Sequence, residues 1–148
     1  MKRVTPNQVP GSLNVGYGVK IPYYNLDSLY AIAIGEGTEI ASFVEAGYGS
    51  RIGKFCKIES FSFLPPGTII EDYVYIGPHV TVTSDRNPNA QSKNLKKEPV
   101  TIKKGASIGA GSIILAGVTI GENAIVGAGC IVSRDVPAGT VIHDGKQV

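Results

Sequence analysis

The chain has 148 residues with 14 Lys and Arg against 12 Asp and Glu, a net charge of +2 that gives no general reason to expect a nucleic acid or an anionic membrane as partner. No apolar run reaches 18 residues and the N-terminus lacks a signal-peptide stretch, so we expect a cytoplasmic protein. The length fits one domain, residues 1–148, and the two cysteines have no second Cys or His at ligand spacing, so no metal site is expected.

Residues 1–33 open the chain without a regular pattern. Residues 1–14 are polar and contain Gly and Pro, and residues 15–33 hold only irregular six-residue units. A stack of repeated units needs a different unit at its end, because the last repeat would otherwise expose its apolar face. We therefore predict an N-terminal cap and irregular coil over residues 1–33.

A six-residue repeat begins at Ile34 and runs in frame to Thr81, then resumes from Ile102 to Pro137. The first position of the fourteen hexads is Ile, Leu or Val, except at Ala46. The fifth position holds only small or β-branched residues, and both cysteines, Cys56 and Cys130, occupy it. These two restrictions predict a continuous apolar interior with tight corners, in which the cysteines are core residues.

The repeat matches neither an amphipathic helix nor alternating strands and helices, which need other apolar spacings. Short strands that recur every six residues are stable only when successive turns stack, with strands about 4.8 Å apart. We expect three hexads per turn, which would place Ile34, Ile52 and Ile70 in one column. The fold class is therefore all-β, a parallel β-helix, and residues 102–137 form its C-terminal coils.

The frame breaks over residues 83–101, which contain turn-forming residues and no periodic apolar position. We predict a long excursion loop here, because structureless segments of this length in compact domains are usually functional or disordered. Six basic residues lie in or beside it: Arg86, Lys93, Lys96, Lys97, Lys103 and Lys104. Such a cluster suits a ligand that carries phosphate, although a solvated basic loop remains open.

The hexads, the loop and the block from Thr101 to Pro137 together resemble the hexapeptide-repeat acyltransferases. The resemblance implies a left-handed parallel β-helix, a homotrimer, and acetyl-CoA bound between neighbouring helices with the acceptor beside the loop. Within this family, residues 67–88 look most like the N-acetyltransferases of nucleotide-linked amino sugars. The residues that match those enzymes are Gly77, Pro78, Thr83, Asn87 and Pro88, whereas Ser84 stands where they often carry an Asn that contacts the acceptor.

The acceptor side of the expected site combines one strand residue with the start of the loop. Related O-acetyltransferases carry a catalytic His before the loop proline, and this chain has Asn87 there. A hydroxyl acceptor needs a positioned base, whereas an amine is already partly neutral near pH 8. We therefore expect an amine acceptor, with His79 and Asp85 as candidate catalytic residues, and Ser84, Arg86 and Asn87 as candidate acceptor contacts.

The donor side of the expected site uses small residues of the C-terminal coils. Pantetheine is a thin chain that lies close to exposed backbone, and Gly109, Ala110, Gly127 and Ala128 would allow that approach. Ser133 and Arg134 follow the last hexads where relatives commonly have Thr-Lys, so a cation there would meet the phosphates of CoA. Tight coil packing would use the same small residues.

Three alternatives stay open at this point. An O-acetyltransferase would share the fold and the donor. A γ-type carbonic anhydrase needs three histidine ligands, and the chain has two histidines. A catalytically degenerate scaffold, or an ice-binding β-helix, would leave the basic loop without a role.

Overall fold

The computed structural model of the protein describes residues 13–93 and 96–143. Residues 1–12 of the predicted cap, residues 94 and 95 of the predicted loop, and residues 144–148 lie outside the described residues. The described backbone contains one 3-10 helix, Tyr24–Leu26, and strands of two residues each. The strands are β1 Asn14–Val15, β2 Ser28–Leu29, β3 Ala33–Ile34, β4 Glu39–Ile40, β5 Glu45–Ala46, β6 Arg51–Ile52, β7 Lys57–Ile58, β8 Phe63–Leu64, β9 Ile69–Ile70, β10 Tyr75–Ile76, β11 Thr81–Val82, β12 Thr101–Ile102, β13 Ser107–Ile108, β14 Ile113–Ile114, β15 Thr119–Ile120, β16 Ile125–Val126, β17 Ile131–Val132 and β18 Val141–Ile142.

The strands form three parallel sheets, and each turn of the chain adds one strand to each sheet. Sheet A has the order β1-β3-β6-β9-β12-β15, sheet B has β4-β7-β10-β13-β16-β18, and sheet C has β2-β5-β8-β11-β14-β17. Ile52 pairs with Ile34 on one side and with Ile70 on the other, which confirms the predicted column. The molecule is the parallel β-helix that the hexads predict, consistent with the left-handed form.

The interior consists of the first and fifth hexad positions, as predicted. The first-position side chains are all buried, including Ala46, and the fifth-position residues are buried as well. Hydroxyl groups at the fifth position bond to backbone: Thr38 Oγ1 donates to Gly53 O at 2.7 Å, and Ser62 Oγ donates to Gly77 O at 3.0 Å. Both cysteines are buried and unpaired. Polar atoms at the corners are satisfied without opening the apolar core.

The sheets meet at three corners, which we number by the sheets they join: corner 1 from A to B, corner 2 from B to C, and corner 3 from C to A. The fourth hexad position lies at each corner, and its backbone is left-handed in nearly every turn. Several of these positions are not glycine: Ala31, Phe43, Phe55, Phe61, Tyr73, His79 and Asn123 have φ between 47° and 63°. A left-handed residue other than glycine costs about 1–2 kcal/mol, so the stacked turns impose this conformation.

The excursion lies at corner 3, between β11 and β12. The coil resumes before β12, because Gly117 N donates to Glu98 O at 2.9 Å and Ile69 N donates to Val100 O at 3.0 Å. Residues 98–100 therefore form the corner itself, and residues 86–93, 96 and 97 are exposed. Within the described ranges, no helix has the length and apolar character needed to cross a membrane.

Candidate functional site

His79 lies at corner 2, at the end of a column of stacked rings. The Phe61 ring lies 5.0 Å from the Phe43 ring and 4.8 Å from the His79 ring, with interplanar angles of 8° and 10°. The prediction that the fourth position points outward is met, because Phe43, Phe61 and His79 are all exposed. The imidazole is therefore held on one face and accessible to solvent.

Corner 2 changes character in the turns after His79. Gly111 N donates to Pro78 O at 2.9 Å, so its turn stacks directly on that of His79. Gly129 N donates to Ala110 O at 2.9 Å, so its turn stacks on that of Gly111. A Cβ built on Gly111 or Gly129 would have no described atom within 4 Å. The corner thus passes from projecting rings to an open, shallow surface that begins at His79.

The four small residues expected to meet pantetheine divide into two kinds. A Cβ on Gly109 would lie 2.6 Å from Gly127 C, and one on Gly127 would lie 3.0 Å from Ile142 O, so these glycines accommodate the next turn. Ala110 and Ala128 are exposed. The open surface is therefore formed by these alanines with Gly111 and Gly129, which the sequence interpretation did not select although both occupy the fourth hexad position.

Sheet C separates His79 from the loop. We call its outward surface face C, and its C-terminal part presents Thr81, Ile113 and Ile131, which pair in register. His79 precedes β11 at one edge of face C, and Ser84 and Asp85 follow β11 at the other. Six residues of extended chain span at most about 20 Å. His79 and Asp85, the two predicted catalytic residues, lie at opposite edges of face C, at corners 2 and 3.

Arg86 ties the loop to the coil. Its Nε donates to Ala116 O at 2.8 Å, its Nη2 donates to Ser133 O at 3.0 Å, and its Nε lies 3.7 Å from Glu98 Oε2. Thr83 Oγ1 adds a bond by accepting from Ala116 N at 2.9 Å. Arg86 and Ser133, predicted for different ligands, thus lie together at corner 3, and the guanidinium is engaged with backbone.

The remaining predicted residues surround the loop base. Asp85 Oδ1 accepts from Asn87 N at 2.8 Å, which forms a tight turn, and Ser84 O accepts from Glu98 N at 3.2 Å. Ser84 and Asp85 are half-buried, whereas Asn87 and Arg134 are exposed. Corner 3 therefore presents Ser84, Asp85 and Asn87 as a group.

The structure divides the basic residues that the sequence places near the loop. Lys96 Nζ lies 3.3 Å from Glu98 Oε1 at corner 3. Lys104 belongs to corner 1, where its Nζ lies 5.8 Å from the centre of the Tyr73 ring. A single phosphate-binding cluster of all six residues is therefore not formed. Within residues 13–93 and 96–143, no three His, Cys, Asp or Glu side chains are grouped to hold a metal ion.

Comparison with known families gives one match. Residues 49–84 and 99–134 fit the family described as "Bacterial transferase hexapeptide (six repeats)". The two matched segments stop at the start of the excursion and resume where the corner is re-formed. Among curated proteins, none matches the sequence.

Solved structures with the same fold include two complexes of AntD, an N-acyltransferase from Bacillus cereus. The complex with dTDP and 3-hydroxybutyryl-CoA is 28% identical, with a TM-score of 0.75 over 86% of this chain and 76% of that chain. A point mutant of AntD with dTDP and Coenzyme A is 26% identical, with a TM-score of 0.76 over 86% and 77%. WeeI from Acinetobacter baumannii is 25% identical, with a TM-score of 0.60 over 88% of this chain and 51% of that chain.

Proposed function

We propose that this chain, which belongs to the bacterial transferase hexapeptide family, transfers an acyl group from acyl-CoA to an amino group of a nucleotide-linked sugar. The observation that carries the proposal is the open surface at corner 2, which begins at the only histidine ring in the Phe43–Phe61 column of the described residues. The family and the CoA and dTDP complexes of AntD support the same chemistry.

The donor fits corner 2 for a steric reason. Ala110, Gly111, Ala128 and Gly129 leave a strip along two turns where no long side chain projects. A thin pantetheine chain approaches backbone closely only where side chains are this small. When bound, acyl-CoA supplies a thioester, and a carbonyl at the start of the strip lies near His79.

His79 is the proposed base. An amine that is partly neutral near pH 8 needs only modest help to lose its proton as it attacks a carbonyl, and an accessible imidazole provides it. The acceptor sugar then lies beside His79 at corner 2 of one copy, and the loop of a neighbouring copy supplies Ser84, Asp85 and Asn87. Asp85 orients the amine, and its turn with Asn87 N fixes the carboxylate.

The separation of His79 from the loop favours a site completed by association. Each coil presents exposed apolar side chains on the outward faces of its sheets, among them Phe63, Ile69, Ile125, Ile131 and Val141. Neighbouring copies in a homotrimer cover such side chains and place the loop of one copy near corner 2 of another. We propose this assembly for the protein.

A panel of ligands tests the reaction. A ligand that binds the folded protein raises its melting temperature by mass action. At a ligand concentration of one hundred times its Kd, the folded state is stabilised by about 2.7 kcal/mol. We expect a rise with CoA, acetyl-CoA and 3-hydroxybutyryl-CoA, and with dTDP- or GDP-linked amino sugars, but a smaller one with the matching hydroxy sugars. No rise with any acyl-CoA would contradict the enzyme assignment, and acyl transfer to hydroxy sugars would favour an O-acyltransferase.

Substitution tests the residues. We expect His79→Ala to lower kcat/KM about 100-fold, since general-base catalysis typically contributes 10²–10⁴, and Asp85→Ala to lower it about 10-fold through loss of orientation. Steady-state kinetics with the best acyl-CoA and amino sugar of the panel measure both. Tyr73→Ala is the control, because Tyr73 occupies the same exposed, left-handed fourth hexad position at corner 1. Wild-type kcat/KM in both site variants would refute the acid–base assignment.

A further inference from the structure

We infer that Phe61, supported by Phe43, is a positioning residue that holds the ring of His79 in one orientation for proton transfer. The inference rests on the proposed catalytic role of His79. It concerns two side chains that lie two turns and one turn before His79 at corner 2, whereas the strip proposed for the donor lies in the turns after His79.

The stack fixes the imidazole plane. Three rings at one corner lie nearly parallel, with centroid separations of 5.0 Å and 4.8 Å. Stacked aromatic pairs attract one another beyond the effect of the area they bury. An exposed imidazole without such a neighbour would exchange among staggered rotamers. The Phe61 ring favours the rotamer in which the imidazole lies flat against it.

The backbone beneath the ring is already fixed. His79 N donates to Ser60 O at 3.0 Å, and the flanking Ile76 and Val80 are fully buried. Only the two side-chain torsions of His79 are left for the stack to determine. Proton transfer depends on the direction of a ring nitrogen, and a displacement of about 1 Å can cost about 100-fold in rate.

The coil itself does not require these rings. Phe43, Phe61 and His79 are left-handed, with φ of 62°, 63° and 58°, a conformation that is strained for any residue other than glycine. The same corner uses Gly111 and Gly129 in later turns, where no cost arises. Glycine at these three positions would avoid the backbone strain. The stacking contacts between the rings offset that strain.

A second column supplies the matched control. Phe55 and Tyr73 stack at corner 1 with centroids 5.5 Å apart, and Phe55 has a similar exposure to Phe61, 47% against 51%. Phe55 is also left-handed, with φ of 53°. Replacing either Phe by Leu keeps a side chain in the same backbone conformation and removes one stacked ring. Phe61→Leu removes the stacking on Phe43 and His79, whereas Phe55→Leu removes the stacking on Tyr73 and leaves the His79 ring untouched.

Kinetics form the first arm of the test. We expect Phe61→Leu to lower kcat about 10-fold with the KM for acyl-CoA unchanged, Phe61→Tyr to restore kcat, and Phe55→Leu to keep wild-type kcat with a similar loss of melting temperature. In a His79→Ala background, Phe61→Leu should lower kcat no further, because a residue that acts through another loses its effect when that residue is removed.

The imidazole itself forms the second arm. The chain has two histidines, so an NMR spectrum shows two sets of histidine ring signals. The His143 signals serve as an internal reference for those of His79. We expect the His79 ring protons to lie upfield through the ring current of Phe61, and to move downfield in Phe61→Leu but not in Phe61→Tyr or Phe55→Leu. Unmoved signals in Phe61→Leu would overturn the inference.

The two arms separate the possible failures. Low kcat in His79→Ala together with wild-type kcat in Phe61→Leu would overturn the positioning role and leave the proposed function intact. Wild-type kcat in both variants would refute the catalytic role of His79, and with it the inference. Equal kcat losses in Phe61→Leu and Phe55→Leu would show general destabilisation and would also overturn it.

Discussion

Asp27 illustrates how a single residue depends on the turns around it. Its Oδ1 accepts from Val44 N at 2.9 Å, and its buried Oδ2 has no hydrogen-bond partner among the described residues. Burial raises the pKa of this carboxyl to about 6, against the lowering effect of backbone hydrogen bonds from Val44 and Phe43. The carboxyl therefore joins the irregular N-terminal coil to the turn that begins the ring column, and its burial favours the protonated form.

This raised pKa predicts a pH dependence of stability. Because the folded pKa is about 6 and the ordinary pKa of an aspartate is 3.8, the folded state binds the proton more tightly. The contribution of Asp27 is fully present below about pH 4 and is lost as the pH rises through about 6. After a discount for solvent screening we expect the difference to be about 1 kcal/mol.

Chemical denaturation at about pH 4.5 and about pH 7.5, on either side of the folded pKa, measures this effect. Asp27→Asn keeps an oxygen acceptor for Val44 N and cannot ionise, so its stability relative to the wild type should improve at the higher pH. Glu45→Gln, at an exposed carboxylate beside Val44, is the control. The same difference in unfolding free energy between Asp27→Asn and the wild type at both pH values would contradict a raised pKa for the buried Asp27 carboxyl.

At the scale of the element, each turn is placed by the backbone of the next. Gly121 is buried at corner 1, and a Cβ there would collide with the backbone of Ala138 in the following turn. Gly139 lies at the same corner with φ of 68°, and a Cβ there meets no described atom within 4 Å. Two glycines at one corner are thus required for different reasons, the first for close approach and the second for backbone conformation.

A matched pair of substitutions separates these reasons. Gly121→Ala forces two stacked turns apart and should destabilise the protein by about 3 kcal/mol, as overpacking does. Gly139→Ala incurs only the left-handed penalty and should cost about 1 kcal/mol. Urea unfolding at one protein concentration compares them. Equal losses would mean that the turns tolerate separation, contrary to the close packing of the coil.

At the scale of the whole molecule, the question is how the outward apolar side chains are covered. The described coil buries its interior completely, yet Ile69, Ile125 and Val141 remain 39%, 46% and 55% exposed on its strands. Ile125 and Val141 pair in register on sheet B and form one exposed apolar patch, the kind of surface that marks a site of association, whereas Ile69 lies on sheet A. The faces of a regular coil are nearly flat, so a second copy can pack against them along several turns.

Association is measured directly. We expect light scattering coupled to size-exclusion chromatography to give about three times the 15.5 kDa mass of the chain. Catalytic activity should fall on dilution if the loop of one copy completes the site of another, because dissociation then removes part of the site. A monomeric mass with full activity would contradict the trimer and confine the site to one coil.

The sequence by itself determined the repeat, the inward positions and the place of the loop. Each of these features is local. One side chain of every two-residue strand must point inward, so the first and fifth hexad positions between Ile34 and Thr81 identify the core. Knowledge of which strands pair is not needed. The outward direction of His79 followed from the same reasoning. The small fifth position also predicted that Cys56 and Cys130 are buried.

Only the tertiary structure decided which corners lie together. Within the regular coil, Phe43, Phe61 and His79 fall on one corner at intervals of eighteen residues, but the next residues there are Gly111 and Gly129, because the loop interrupts the count. The tertiary structure likewise brings the Arg86 guanidinium to the carbonyl oxygens of Ala116 and Ser133, to which it donates hydrogen bonds. These contacts join turns that are distant in sequence. Which residues meet at a corner after the loop depends on how many residues the loop inserts between β11 and β12.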